Sequence, residues 1–437
     1  MMMRFLTAFV AAIVLSVPAR AAVEIQEVTS PGGITAWLVE EHSIPFAAIE
    51  IRFKGGTSLD LPGKRGSVNL MAALLEDGSG DMDTRAFAEA RDTLAARYSF
   101  EAFRDSIAVS ARFLTENRDA SVALLRQALT EPRFDADAIE RVREQILSNL
   151  RSDALDPGTI ARDRFSQLAW GDHPYGSPGD GTVASVSALT REDLVAAHAR
   201  TVARDRVYVG AVGDITPAEL AAILDEVLGD LPEAGPVDVP QATYQIEPGL
   251  TVEAFETPQS VALFGHQGID RDDDDFFAAY VTNEIFGGGG FTSRLMEEVR
   301  VKRGLTYGIG AYLAPSDHGA LVLGQVATDN ARMAETIEVV RAEWQRIAEG
   351  VTQEELDAAK TYLTGAYPLR FDGNAQIARI MVGMQVDDLP IDYIATRNDN
   401  VNAVTLEDVR RVAARLYRPD DLHIVVVGQP EGLSASN

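Results

Sequence analysis

The sequence predicts an α+β protein built from two homologous tandem domains, each a mostly antiparallel sheet with helices packed on one face. Three observations lead to this expectation. The chain has 437 residues at 46% hydrophobic content, enough for substantial cores but too long for one compact domain. A constant register of 215 residues relates its two halves. Each half also opens with strand-like text, continues through helical periodicity and closes on a β-branched run.

In chain order, residues 1–21 come first. Arg4 supplies a positive flank, residues 5–17 an apolar run and Ala19-Arg20-Ala21 a small-residue cleavage site. This pattern predicts a secretory signal peptide, because the run is short for a span of about twenty residues. No cysteine is present, which excludes disulfides, thiolate metal sites and a cysteine nucleophile. Export without disulfides points to the periplasm of a Gram-negative bacterium. Sixty-six acidic against thirty-nine basic residues give a formal charge of −27, which would repel a phosphate backbone. General nucleic-acid binding is therefore excluded.

Residues 22–231 form the predicted first domain. Strands are expected at 34–40 and 47–53 and helices at 120–126 and 137–150. A further helix is capped by Thr190, and a closing strand ends at Gly213. Residues 232–249, rich in proline and without periodicity, read as a semi-rigid linker. Residues 250–437 repeat the scheme, with strands at 251–255 and 261–266 and helices at 335–341 and 353–364. Thr405 then caps a helix leading to a strand that ends at Gly428. Thr190 to Thr405 and Gly213 to Gly428 are both steps of 215 residues, so the closing units match without a gap.

Chemistry is harder to find. There is no Gly-x-Ser-x-Gly elbow, and Gly63-Lys64 is followed by Arg65, so no phosphate loop is formed. The six histidines are His42, His173, His198, His266, His318 and His423. No two lie within four residues of each other, so each reads as an ordinary surface or core imidazole. The run Asp77-Gly78-Ser79-Gly80-Asp81-Met82-Asp83 has Met82 where a calcium loop needs glycine, and reads as a solvated acidic turn. Residues 270–275 read as an exposed turn, with Asp274 or Asp275 at the positive end of the next helix. Gly287-Gly288-Gly289-Gly290 should end a buried helix over 276–286, as a hinge, a substrate loop or a place of close backbone approach. Thr292 or Ser293 is expected to cap a helix ending near Arg303, with Gly304 as its stop and a strand over 305–313.

Glu298-Val299-Arg300-Val301-Lys302-Arg303-Gly304-Leu305-Thr306-Tyr307 closely resembles the second-domain signature of the pitrilysin/insulinase family of zinc peptidases. The glycine loop with Ser293-Arg294-Leu295 fits the same family, as does Asp172-His173-Pro174-Tyr175-Gly176 before Gly181. The resemblance implies an inverted zinc motif, H-x-x-E-H, in the first domain. Its frame, Gly63-Lys64-Arg65-Gly66-Ser67-Val68, is present, but the motif positions hold Asn69, Ala72 and Ala73. The distal glutamate ligand falls on Asn149. An amide is a poor zinc ligand and a methyl group is none, so no metal or other cofactor is expected in this chain. By the same resemblance, Arg300 and Tyr307 would grip substrate backbone near the scissile bond, donating to a carbonyl and its developing oxyanion.

Some bacterial members of the family divide the zinc motif and the arginine–tyrosine pair between two chains. The resemblance thus implies a zinc-free partner subunit of a heterodimeric periplasmic metallopeptidase, inactive alone. A homologous subunit would carry the zinc, and extended peptides would bind by strand addition. The negative charge hints at basic peptides. The alternative is a purely structural or peptide-binding protein of the same fold, which would have no need of Arg300 and Tyr307.

Overall fold

The computed structural model describes residues 24–434 except Pro236 and Gly289. The expected signal peptide lies outside the described residues, as does Gly289 of the glycine loop.

In the first half, β1 (Gln26–Thr29), β2 (Thr35–Glu40), β3 (Phe46–Lys54), β6 (Arg97–Ala102), β7 (Ser106–Leu114) and β8 (Val207–Gly213) form one sheet, while β4 (Gly78–Ser79) and β5 (Met82–Asp83) make a small separate hairpin. The six strands lie in the order β1-β2-β8-β3-β7-β6, and only β2 and β8 run parallel. The second half contributes β9 (Gly249–Ala254), β10 (Gln259–Gln267), β11 (Ile309–Ala314), β12 (Leu321–Asp329) and β13 (His423–Gly428). Their order is β11-β12-β10-β13-β9, and again only one pair, β13 with β9, is parallel. Apart from β1, the two sheets have the same topology, strand for strand. The duplication read from the sequence is therefore a duplication of fold.

Period-two alternation divides each sheet into two faces. In β3, Ala47, Ile49, Ile51 and Phe53 enter the first core, and Ala48, Glu50, Arg52 and Lys54 point the other way. That core also takes the apolar sides of helices Arg118–Thr130, Ala136–Asp153, Arg191–Thr201 and Pro217–Leu228. In the second half, Met333–Ala348, Gln353–Ala366 and Leu406–Leu416 fill the equivalent core. Capping boxes start the matching helices: Thr190 pairs with Asp193, and Thr405 with Asp408.

A reciprocal exchange of helices has no counterpart among the sequence expectations. Pro157–Trp170, from the first half, lays Ala161, Phe165 and Ala169 against Leu263, Leu323 and Val425 on the outer face of the second sheet. Asn374–Val386, from the second half, lays Ala378, Met381 and Met384 against Trp37 and Val212 of the first. Gly210 makes this fit possible, because a Cβ there would stand 2.7 Å from the Ala378 carbonyl oxygen. The described residues of 232–248 have no regular structure but are not free of the body. Ile246 and Tyr244 join the cluster beneath Pro157–Trp170, and the Gln245 amide donates to the Ala169 carbonyl at 3.0 Å.

One loop expectation needs correction. Residues 77–83 are the β4–β5 hairpin, not a solvated turn. The Gly80 amide donates to the Glu131 carbonyl, Ser79 is fully buried, and Asp77 is bound by Arg141 at 2.6 Å. The 270–275 run is a turn with Asp270, Asp272 and Asp274 exposed, as expected, and Arg411 and Arg415, one turn apart on Leu406–Leu416, hold Asp275 and Asp273. Asp275 does occupy the N-cap position of Phe276–Gly287, but its carboxylate is taken by the arginines.

Candidate substrate-binding site and substituted zinc motif

The frame around the motif positions is intact. Helix Ser67–Ala73 starts over the buried Asp60 carboxylate, which accepts from the Gly66 and Val68 amides, both at 2.9 Å, and from the Ser67 hydroxyl at 2.6 Å. Burial pushes the Asp60 carboxyl up, against the pull of these hydrogen bonds. Arg65 donates to the carbonyls of Pro174, Ser177, Pro178 and Thr57, stapling the His173–Tyr175 turn to the start of the helix. Both sequence motifs of the first domain are thus structural joints.

The four positions that the sequence resemblance assigned to zinc chemistry hold no metal-binding side chain. Asn69 and Ala73 are half-buried, Ala72 is 1% exposed, and Asn149 lies exposed on Ala136–Asp153, accepting from Gln145 at 3.0 Å. Among the described residues, no three His, Cys, Asp or Glu side chains are grouped so as to hold a metal ion. The histidines have other partners. His198 meets the Leu129 carbonyl and His173 that of Pro240, while His266 is enclosed with Trp344. Burial drives His266 down to about 4.

The second-domain signature is differently organised. Glu298 gathers Lys302 and Arg303, each at 2.7 Å, and Arg346 at 3.3 Å. The hydrogen bonds from Lys302 and Arg303 hold its carboxyl at about 2. Arg294 is 8% exposed and grips Glu355 with two bonds, at 2.7 and 2.8 Å, while donating to the Arg346 and Gly350 carbonyls. Burial alone would raise the Glu355 carboxyl, but Arg294 and the Thr352 amide outweigh it and bring it to about 2. Among the charges that run from Glu298 to Arg303, only Arg300 has no ion pair among the described residues. Its guanidinium instead lies 4.6 Å from the ring centroid of Phe291.

The backbone here also departs from expectation. Met296–Val301 is a π-helical turn, with the Lys302 amide reaching back to Glu297 at 2.9 Å. The Ser293 hydroxyl is buried without a partner, so it does not cap this turn. Gly304 ends it as expected, at φ 59°. Residues 305–308 are not strand. The Thr306 hydroxyl donates to the Ala327 carbonyl and accepts from the Gly308 amide, and Thr328 holds the Leu305 carbonyl. These anchors fix the backbone on both sides of Tyr307, whose side chain is 89% exposed.

The glycine loop serves as a close approach at its first member. A Cβ on Gly287 would stand 2.6 Å from the Ala311 amide nitrogen of β11, and one on Gly288 would meet the Glu284 carboxylate. Gly290 has no neighbour within 3.4 Å of such a Cβ, and it leads directly to Phe291, itself 66% exposed. No sequence signal marks Phe291. An aromatic after a glycine run has no periodic pattern, and only the folded loop sets it beneath Arg300.

Comparison with known proteins identifies the scaffold that carries these residues. The sequence model described as Insulinase (Peptidase family M16) matches residues 36–182, and that described as Peptidase M16 inactive domain matches residues 188–363. The chain belongs to peptidase family M16. One M16 relative, a Helicobacter pylori protein named non-peptidase homolog YmxG, is 24% identical over 89% of this chain and 90% of its own length. Another, from Mycobacterium leprae, is named an uncharacterized zinc protease and is 27% identical over 80% of each chain. The crystal structure of a peptidase M16 inactive domain from Pseudomonas fluorescens covers 95% of this chain and all of its own. It superposes with a TM-score of 0.87 at 29% identity. Within M16, this chain has the two-domain scaffold, and Asn69, Ala72, Ala73 and Asn149 stand where the family resemblance would put the zinc motif and its distal ligand.

Proposed function

We propose that this M16 protein is the zinc-free subunit of a two-chain periplasmic metallopeptidase. It supplies Arg300, Tyr307 and half of the substrate chamber to a zinc-bearing homologue. The observation that carries the reading is selective availability. Every other charge between Glu298 and Arg303 is committed to an ion pair, whereas among the described residues Arg300 is held only by an aromatic ring, and Tyr307 projects from a pinned backbone into solvent. A purely structural fold member gains nothing from that arrangement. The Helicobacter and Pseudomonas names support the non-catalytic part of the reading. Edge strands β6 and β11, each paired on one side only, are suited to adding an extended peptide as a further strand.

Reconstitution tests this directly. The purified chain should bind no stoichiometric zinc and cleave no peptide, and cleavage should appear on mixing with a chain bearing an intact H-x-x-E-H motif. Stoichiometric zinc in the isolated chain, or hydrolysis by it alone, would refute the proposal. Export is checked by N-terminal sequencing of the periplasmic protein, which should begin at Ala22.

A further inference from the structure

The outer face of the first sheet is only half covered. Asn374–Val386 packs mainly on β8 and β3, and beyond it Arg97 and Glu101 of β6 and Arg112 of β7 are exposed, although Ser106 and Ala108 on the same face of β7 are buried. On these two strands Tyr98, Phe100, Val109 and Ala111 turn into the core, so Arg97, Ser99, Glu101, Ser110 and Arg112 share the open face. Arg97 and Arg112 are register partners, directly across from each other, and both are exposed. Ala48, a small and buried residue of β3, is the register partner on the other side of Arg112. Neither arginine has an ion pair or a side-chain hydrogen bond among the described residues.

Two facts make this pair unusual. Like charges placed directly opposite across a ladder are unfavourable. A chain with sixty-six acidic residues had ample means to neutralise them. The nearby acids do not do so. Glu50, buried on β3, is taken by Ser110 and Arg52, and exposed Arg379 of the covering helix adds its field to the same carboxylate. Glu101 accepts from Ser99 at 2.9 Å and sits four residues along β6 from Arg97, about 13 Å away at strand spacing. The open face therefore has a positive end made of Arg97 and Arg112, beside a sheet edge with free backbone groups.

The geometry points to a carboxylate-binding subsite for peptides at the β6–β7 face. The two guanidiniums hold a carboxylate of an extended peptide while the β6 edge pairs with its backbone. The net charge of the molecule does not forbid this, because exposed charges beyond about 8 Å are largely screened at physiological salt. This inference rests on the peptide-binding reading above and gives it a substrate class, peptides with an acidic group, opposite to what net charge alone suggests.

Isothermal titration calorimetry on the isolated full chain tests it with three ten-residue peptides. One has an internal aspartate and an amidated end, one is neutral with a free C-terminus, and one is neutral and amidated. At least one carboxylate-bearing peptide should bind about tenfold more tightly than the neutral amidated one, and which does so identifies the source of the carboxylate. Arg97→Gln and Arg112→Gln should each abolish that preference while leaving the melting temperature unchanged. Equal binding of all three peptides, or a preference that survives both substitutions, overturns the subsite. Arg300→Ala separates the two proposals. If it leaves the preference intact while Arg97→Gln abolishes it, the subsite acts independently of Arg300, whose own test is the cleavage rate of the two-chain complex.

Discussion

Glu298 shows how one carboxylate can organise a signature. It takes up Lys302, Arg303 and Arg346, and so leaves Arg300, on the same helical turn, without an ion pair among the described residues. Its folded pKa of about 2 lies below the ordinary carboxylate value, so its stabilisation is complete above about pH 4.5 and is lost as pH falls toward 2. Glu298→Gln should therefore lower the melting temperature at pH 7 and narrow its gap to the native protein as pH is taken from 5 to 2. A gap that stays constant over that range would mean the ion cluster contributes nothing to acid stability. At this scale, Arg300, Tyr307 and the positions Asn69, Ala72, Ala73 and Asn149 could be singled out in the sequence as candidates, because a motif fixes residue identity at fixed spacing. Phe291 beneath Arg300 and the Arg97–Arg112 pair could not. The first depends on a loop path, and the second on which residues of two strands meet.

The helices and strands marked by periodicity and capping are present, with Thr190 and Thr405 at the start of equivalent helices. The elements that differ from expectation are short. Six residues of π-helix cannot be told from α-helix by spacing, and residues 305–308 carry strand-like composition but give their hydrogen bonds to Thr306 and Thr328. The exchanged helices were also invisible as such, since local pattern shows that a helix is apolar but not which sheet it will cover. Their packing is sensitive to single atoms. Gly210→Ala would place a methyl group 2.7 Å from the Ala378 carbonyl oxygen, forcing Asn374–Val386 off the sheet. The expected cost is about 1–3 kcal/mol, read as a lower urea midpoint at unchanged slope. An unchanged midpoint would show that the crossing helix does not bear on Gly210.

Across the whole molecule, two copies of one fold have been joined so that each lends a helix to the other. On the proposed reading, one copy keeps only the frame of a zinc motif and the other keeps the Arg300–Tyr307 signature. Length and a 215-residue register make the duplication legible in the amino-acid order alone. The proposed division of labour is argued position by position, from residues that do not suit a metal within a frame that is built and hydrogen-bonded. The decisive measurement is the peptide cleavage rate of the mixture with a zinc-bearing homologue, normalised to the amount of two-chain complex seen by size-exclusion chromatography. With Arg300→Ala or Tyr307→Phe in this chain, the complex should form as before and kcat/KM should fall by about tenfold or more, a loss of about 1.4 kcal/mol of transition-state binding. Full activity from both variants in an intact complex would contradict the shared site.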